Sequence, residues 1–281
     1  VTWVTDSTYG TGGIAGYAAD SGAVRNACNM GSVSGSSNVG GIIGYSAGTG
    51  SGLYNTGSVT GKGYVGGIIG KNALGSIASV YNTGMVTCSG DSGAAGGIIG
   101  LNDRGSVTCA YNSGSVKGSG YYTGGVAGWN KGGTLQYVCN TGTVTGVLGS
   151  DTGGVAGYNQ NYNTDASVQY AYNTGAVTAS GSGSRAGGIV GKNSGALLTQ
   201  VYNTGQVTKT GNGTAGGLAG SNGGTIEYAY ALEGTAAALV GAGTGTVSDT
   251  AVKSGTEMQT RATYENWDGF GTNWQIGTLA A

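Results

Sequence analysis

Residues 66–87 read Gly-Gly-Ile-Ile-Gly-Lys-Asn-Ala-Leu-Gly-Ser-Ile-Ala-Ser-Val-Tyr-Asn-Thr-Gly-Met-Val-Thr. An aliphatic pair is locked between glycines, followed by an Ile/Val/Tyr run and an Asn-Thr-Gly punctuation. No 3.6-residue apolar period survives such frequent glycine, so helix is excluded. Short β-branched and aromatic runs bounded by turn residues predict strands. Three such runs fit in this stretch: Gly-Ile-Ile-Gly, Ser-Ile-x-x-Val-Tyr and Met-Val-Thr.

The same stretch returns along the chain. Its Gly-Gly-aliphatic-small/aliphatic-Gly block begins at Gly12, Gly40, Gly66, Gly96, Gly124, Gly153, Gly187 and Gly216, at spacings of 26 to 34 residues. Tyr-Asn-Thr-Gly-x-Val-Thr follows at Tyr54, Tyr81, Tyr172 and Tyr202, with a Ser113 variant after Tyr111. Cys28 and Cys139 take the tyrosine place in two further copies, and the copy at Tyr230 has lost most of the pattern. The length differences fall in Gly/Ser-rich stretches such as 35–39, 88–95, 146–152 and 179–186. Constant blocks alternating with elastic ones are the mark of a solenoid.

One repeat of about 29 residues with three short strands predicts a triangular coil. Coils stack about 4.8 Å apart, each strand pairing with its copy in the next coil. The fold class is therefore all-β, a parallel β-helix of about eight coils, with right-handed winding expected by analogy with parallel crossovers. Eight coils make a rod of about 40 Å. Glycine, and Asn in Asn-Thr-Gly, are expected to supply left-handed backbone at the sharp corners. Stacking puts Asn29, Asn55, Asn82, Asn112, Asn140, Asn173 and Asn203 in one column, where side-chain amides can bond from coil to coil. Tyr54, Tyr81, Tyr111, Tyr172 and Tyr202 form a second column, of stacked rings. Val33, Val59, Val86, Val116, Val144, Val177 and Val207 form a third, inside the core.

Composition narrows the chemistry. Of 281 residues, 64 are Gly, none is Pro and none is His, and the net charge is −1. Without His there is no Ser-His-Asp or Cys-His nucleophile pair and no His-ligated metal. No polybasic patch exists to hold nucleic acid, and no apolar run is long enough for membrane insertion. Charged residues are only 8% while hydrophobic ones reach 38% at fixed places, which argues against a disordered tail. A chain opening at Val1 without a basic-then-apolar leader is expected to be a mature or excised segment.

The two blocks resemble the GLUG motif, named for a Gly-Leu-aliphatic-Gly core. That core is written here as Gly-Ile-Ala-Gly (13–16), Gly-Ile-Ile-Gly (41–44, 67–70, 97–100), Gly-Val-Ala-Gly (125–128, 154–157), Gly-Ile-Val-Gly (188–191) and Gly-Leu-Ala-Gly (217–220). The resemblance covers roughly residues 10–235. It implies a β-helix within a large secreted or surface-attached bacterial protein: an adhesin-like chain, or an immunoglobulin A-cleaving metallopeptidase in which such repeats accompany a separate zinc-dependent catalytic domain. With no His, this chain offers no residue to which the peptidase activity could be carried. Residues 257–276, with Met258, Trp267, Asp268 and Trp274, resemble the Trp-containing tail that closes such arrays.

Open solenoid ends need covers, and Trp3, Trp267, Phe270 and Trp274 lie near the termini. The expected organisation is one structural domain: an N-terminal cap over 1–11, eight repeats over 12–235, and a partial ninth coil with a Trp-containing cap over 236–281. Within the repeats Asp91 and Asp151 fall two coils apart, as do Asp103 and Asp165, so no carboxylate pair suits glycoside hydrolysis. The chain reads as non-enzymatic, with no catalytic residue, resident metal or cofactor; a scattered calcium site near Asp91 or Asp151 is the one exception weighed. A nucleotide site at the Gly blocks fails because no helix follows. Cys109 and Cys139 lie about 8 Å apart on the strand diagonal, too far for a disulfide, so Cys28, Cys88, Cys109 and Cys139 are expected to be free and mostly buried.

What remains is surface. Tyr45, Tyr64, Tyr121, Tyr122 and Tyr162 are candidates to dock a host glycan or protein. The expected role is a rigid stalk or adhesive surface, extracellular or at the bacterial cell surface, monomeric as a domain and able to associate end to end. Two alternatives stand beside it. One is an accessory domain of a larger secreted peptidase. The other is an ice-binding solenoid built on the columns Thr56, Thr83, Ser113, Thr141, Thr174, Thr204 and Thr60, Thr87, Thr145, Thr178, Thr208, the second broken by Lys117.

Overall fold

A computed structural model of the chain describes residues 9–268, and it is a parallel β-solenoid. The third coil shows the plan. Tyr64–Gly66 lies in one sheet, Ile69–Ala73 and Ser76–Asn82 in a second, and Val86–Cys88 in a third. Every segment pairs in parallel with its copies one coil up and one coil down. Gly66 faces Gly40 and Gly96, Tyr81 faces Tyr54 and Tyr111, and Val86 faces Val59 and Val116. The sheets contain eight, sixteen and seven strands. The largest holds two rows, joined through the unbroken strands Val190–Asn203 and Ala219–Leu232.

The sequence predicts three strands per coil, and the structure has four segments. The addition is the three residues that run into each Gly-Gly block. Their composition varies from Tyr64-Val65 to Ala94-Ala95 to Asp151-Thr152. No propensity marks them; their strand geometry is imposed by the neighbouring coils.

The glycines also act differently from expectation. Neither the Gly-Gly pairs nor the Asn-Thr-Gly glycines have left-handed backbone. They are glycine because backbone approaches them: a Cβ on Gly66 would lie 2.0 Å from the Ile69 carbonyl oxygen, and one on Gly84 2.0 Å from that of Gly57. Left-handed backbone occurs at bends and turns such as Leu74, Arg104, Gly132 and Gly149, and also, once per coil, in a column inside or just beside the longer row of strands. That column runs through Asn26, Gly52, Ser79, Cys109, Tyr137, Tyr170, Gln200, Tyr228 and Asp249, at φ between 48° and 63°. Mostly non-glycine side chains bear this conformation, at a cost of about 1–2 kcal/mol each, because the residues on both sides are fixed in register.

Burial follows the columns. Ile42, Ile68, Ile98 and Ile189 from the Gly blocks meet Ile77, Leu135 and Leu198 in the main core, all fully buried. The valines Val33, Val59, Val86, Val116 and Val144 pack with Val39, Val65 and Ala95 in a second, narrower core, and Val177 and Val207 continue their column in a third cluster.

Among the described residues the stack begins at Thr11, which pairs with Val39. At the other end Val240 bridges Ala219, Thr246–Lys253 adds a last strand, and a helical turn Gly255–Met258 follows, its N-terminus closed by Ser254 and Glu257. Tyr264 and Trp267 then bury against Tyr230, the two rings of Trp267 and Tyr230 stacked at 5.8 Å. Trp3, Phe270 and Trp274 lie outside the described residues.

Candidate functional site

The asparagine column is a continuous chain of amides. Asn29 Nδ2 donates to Asn55 Oδ1 at 2.7 Å, and the same bond at 2.8 Å links Asn55 to Asn82, then Asn112, Asn140, Asn173 and Asn203. Each second N–H goes to the glycine carbonyl two residues on, as from Asn82 to Gly84 at 2.8 Å. A second ladder, which the sequence reading missed, runs through Asn72, Asn102, Asn130, Asn159, Asn193 and Asn222 at 2.8–3.0 Å. Its signal was present as an Asn six residues after each block start from the third copy onward. Both ladders are buried between Asn55 and Asn203 and from Asn72 to Asn222, where such amides need partners. They hold coils together and offer nothing to a ligand.

The tyrosine column is half-buried. Tyr54, Tyr81 and Tyr111 stack at 4.9–5.1 Å, Cys139 interrupts them, and Tyr172 and Tyr202 resume at 5.1 Å. The seven valines are all buried. The four cysteines are free, but only Cys88 is buried; Cys28 and Cys109 are exposed and Cys139 is intermediate. Cys109 sits in the left-handed column, which turns its side chain to solvent.

The outward face with most chemistry is one the sequence did not single out. Five residues after each block start, Tyr17, Tyr45, Lys71, Leu101, Trp129, Tyr158 and Lys192 lie in register on successive coils. Tyr17 and Tyr45 are 5.5 Å apart, and Lys71 Nζ stands 5.2 Å from the Tyr45 ring centre. Trp129 and Tyr158 are near-parallel at 6.1 Å, and Tyr122 packs 5.1 Å from each. Lys192 Nζ covers the Tyr158 ring at 4.8 Å, and Lys131 Nζ covers Tyr162 at 3.6 Å. Of the tyrosines proposed as docking residues, Tyr121 and Tyr162 are exposed, whereas Tyr45, Tyr64 and Tyr122 are half-buried against this ladder or its flank.

Two concavities open on this face. Near the N-terminal end, Asp20, Tyr45, Lys71, Leu74, Asp103 and Arg104 line about 400 Å³. Across coils five to seven, Tyr121, Tyr122, Gly149, Asp151, Tyr158, Arg185 and Lys192 line about 200 Å³. Asp151 is buried, and its Oδ1 accepts from Arg185 Nε of the next coil. A guanidinium thus neutralises the Asp151 carboxylate, and Asp91 lies on an exposed turn. Burial pushes the Asp151 carboxyl above the usual carboxylate range, opposed by Arg185, whose own pKa the same bond raises. The two shifts pull in opposite senses; the contact geometry favours the charged pair. Among the described residues no group of three His, Cys, Asp or Glu converges as a metal site requires, and no helix is long and apolar enough to cross a membrane.

This face can bind. It offers ring edges, tyrosine hydroxyls, ammonium and guanidinium donors and a few carboxylates, spread over seven coils. No family model matches the chain, and no curated protein matches it. Among solved structures it is similar to a crystal structure from Bacteroides ovatus described as a "putative immunoglobulin A1 protease", with 19% identity, a TM-score of 0.44, and coverage of 89% of this chain and 71% of that one. The GLUG resemblance therefore rests on the repeat residues themselves.

The threonine columns flank a bend. Thr60, Thr87, Lys117, Thr145, Thr178 and Thr208 are in register on the third sheet. The Thr56 column lies beyond the bend at Gly57, outside that sheet.

Proposed function

We propose that the chain is a non-enzymatic binding module of GLUG type from a secreted or surface-attached bacterial protein. Its solenoid is a stiff support, and the accessible members of the ladder, Tyr17, Tyr45, Lys71, Trp129 and Lys192, are the surface offered to an extracellular glycan or protein. The observation that carries this reading is the contrast between columns. The Asn, Val and Ile columns are consumed by internal bonds and packing, whereas this column, although Leu101 and Tyr158 in it are buried, keeps Tyr17, Tyr45, Lys71, Trp129 and Lys192 at least partly open to solvent. Five of the chain's eleven basic residues (Lys71, Arg104, Lys131, Arg185 and Lys192) stand on or beside it. Rings with adjacent cations and hydroxyls are the usual equipment of carbohydrate and protein recognition surfaces.

The test is a glycan and host-protein array probed with the wild-type domain and with Tyr45→Ala/Lys71→Ala. A ligand retained by wild type and weakened at least tenfold by the double variant supports the reading. Binding that ignores the variant, or no binding at all, overturns it in favour of a pure spacer.

The register of Thr60, Thr87, Thr145, Thr178 and Thr208 favours a second reading, ice binding, in which a regular hydroxyl–methyl array matches a lattice. Thermal hysteresis at millimolar protein concentration checks it, and freezing-point behaviour identical to that of an inert protein ends it.

A further inference from the structure

The pocket spanning coils five to seven is built more specifically than the rest of the ladder. Asp151, 3% exposed, accepts from Arg185 Nε across the coil boundary. That bond takes only one edge of the guanidinium. Among the described residues neither terminal nitrogen of Arg185, nor Lys192 Nζ, donates to any protein acceptor; Lys192 is held only over the Tyr158 ring, at 4.8 Å. Two oriented cationic donors thus border one concavity whose single carboxylate is already bonded, leaving it with net positive charge.

The remaining wall is aromatic. Half-buried Tyr122 and largely buried Tyr158 lie 5.1 Å apart and tilted by 40°, and the exposed Tyr121 ring is 6.0 Å from that of Tyr122. A volume of about 200 Å³ is below the 300 Å³ or more usual for drug-sized ligands, so it suits a single ring-sized unit. Guanidinium and ammonium donors select a carboxylate. Aromatic edges and hydroxyls suit a ring that is apolar on its faces and hydroxylated at its rim.

We infer that this pocket binds one carboxylated sugar unit, a uronic or nonulosonic acid residue of an acidic glycan, with Arg185 and Lys192 on the carboxylate and Tyr121, Tyr122 and Tyr158 on the ring. The inference rests on the binding role proposed above and names a ligand class for one part of that surface. Asp151 is a positioning residue: it fixes the guanidinium and leaves its terminal nitrogens to the ligand.

The experiment titrates the whole domain by NMR or calorimetry with D-glucuronate, D-galacturonate and N-acetylneuraminate, and with glucose and galactose as neutral counterparts. At least one acid should saturate with a Kd at least tenfold below that of the neutral sugars, and the affinity should fall as salt is raised. Lys192→Gln, on a partly exposed side chain that leaves the Asp151–Arg185 pair intact, should weaken that acid at least fivefold while circular dichroism stays unchanged. Arg185→Gln should abolish binding, but it strands a buried carboxylate, so Lys192→Gln is the deciding variant. Equal affinity for acidic and neutral sugars, an unaltered Kd in Lys192→Gln, or failure of every acid to saturate overturns the inference. So does an oligoglutamate peptide that binds more tightly than all three acids, because the site would then belong to an acidic protein. Array ligands that are lost in Tyr45→Ala/Lys71→Ala while all three acids fail would sink this inference and leave the broader binding role standing.

Discussion

Gly67 and Asn82 are interdependent: a Cβ on Gly67 would lie 2.4 Å from Asn82 Cγ and 2.1 Å from the Gly97 carbonyl oxygen. The same geometry recurs between Gly97 and Asn112, Gly125 and Asn140, and Gly188 and Asn203. In the first seven blocks the second glycine therefore leaves room for the amide ladder; in the eighth, Gly217 faces Ala231 instead. Gly67→Ala should cost roughly 3 kcal/mol or more, since both clashing groups are fixed by neighbouring coils. Urea unfolding followed by circular dichroism checks this, and a loss below 1 kcal/mol would contradict the packing described.

Asn112→Ala removes one rung. It leaves an Asn82 N–H, the Asn140 Oδ1 and the Gly114 carbonyl without their bonds. At about 1–3 kcal/mol for each of these three buried groups left unsatisfied, the expected loss is about 3 kcal/mol or more. Alanine at the exposed Thr60, on strand Val59–Gly61 of another sheet and two coils away, serves as the control and should change stability by no more than about 0.5 kcal/mol.

The second ladder starts abruptly. Ser46 occupies its column in the second coil, in register with Asn72, and both Ser46 Oγ and Asn72 Oδ1 are buried without a partner among the described residues. Ala18 at the same place in the first coil leaves room on the far side. Ser46→Asn should extend the chain of amides by one rung and raise stability by about 1 kcal/mol, seen as a higher urea midpoint at unchanged slope.

Ser79, at φ 55°, tests the left-handed column. Ser79→Gly relieves the strain and should stabilise by about 0.5–1 kcal/mol, whereas Ser79→Val should destabilise by about 1–2 kcal/mol. Equal effects of the two substitutions in thermal unfolding would refute the assigned conformation.

The thiols should separate by accessibility. Under native conditions Cys28 and Cys109 should react with an aromatic disulfide reagent within minutes, Cys139 slowly, and Cys88 only on unfolding. Burial raises the pKa of Cys88 and Cys139 and so depletes their thiolates further. Four equally fast thiols would show an open stack.

Alkaline stability should report the buried phenols. Burial raises Tyr264 to about 12, and Tyr172 and Tyr202 also lie above the usual tyrosine value. A phenol whose pKa is raised on folding contributes stability that is intact below about pH 10 and lost as pH climbs toward 12. Thermal midpoints should hold to about pH 10 and then fall, with a shallower fall in Tyr264→Phe.

The sequence alone determined the solenoid, its period, the first asparagine column and the valine column, but not the second asparagine ladder. Each coil repeats one strand pattern, so residues of equal phase must stack wherever the backbone pairs in parallel, and Asn29 to Asn203 could be aligned from spacing. The fourth strand segment, the left-handed column and the reason for the glycines were decided only in three dimensions. All three depend on how closely one coil approaches the next, which no local propensity encodes. The surface followed the same division. Tyr17, Lys71, Trp129 and Lys192 differ too much in chemistry to read as one column. Asp151 and Arg185, 34 positions apart across an elastic loop, became partners only when the register of adjacent coils placed them side by side.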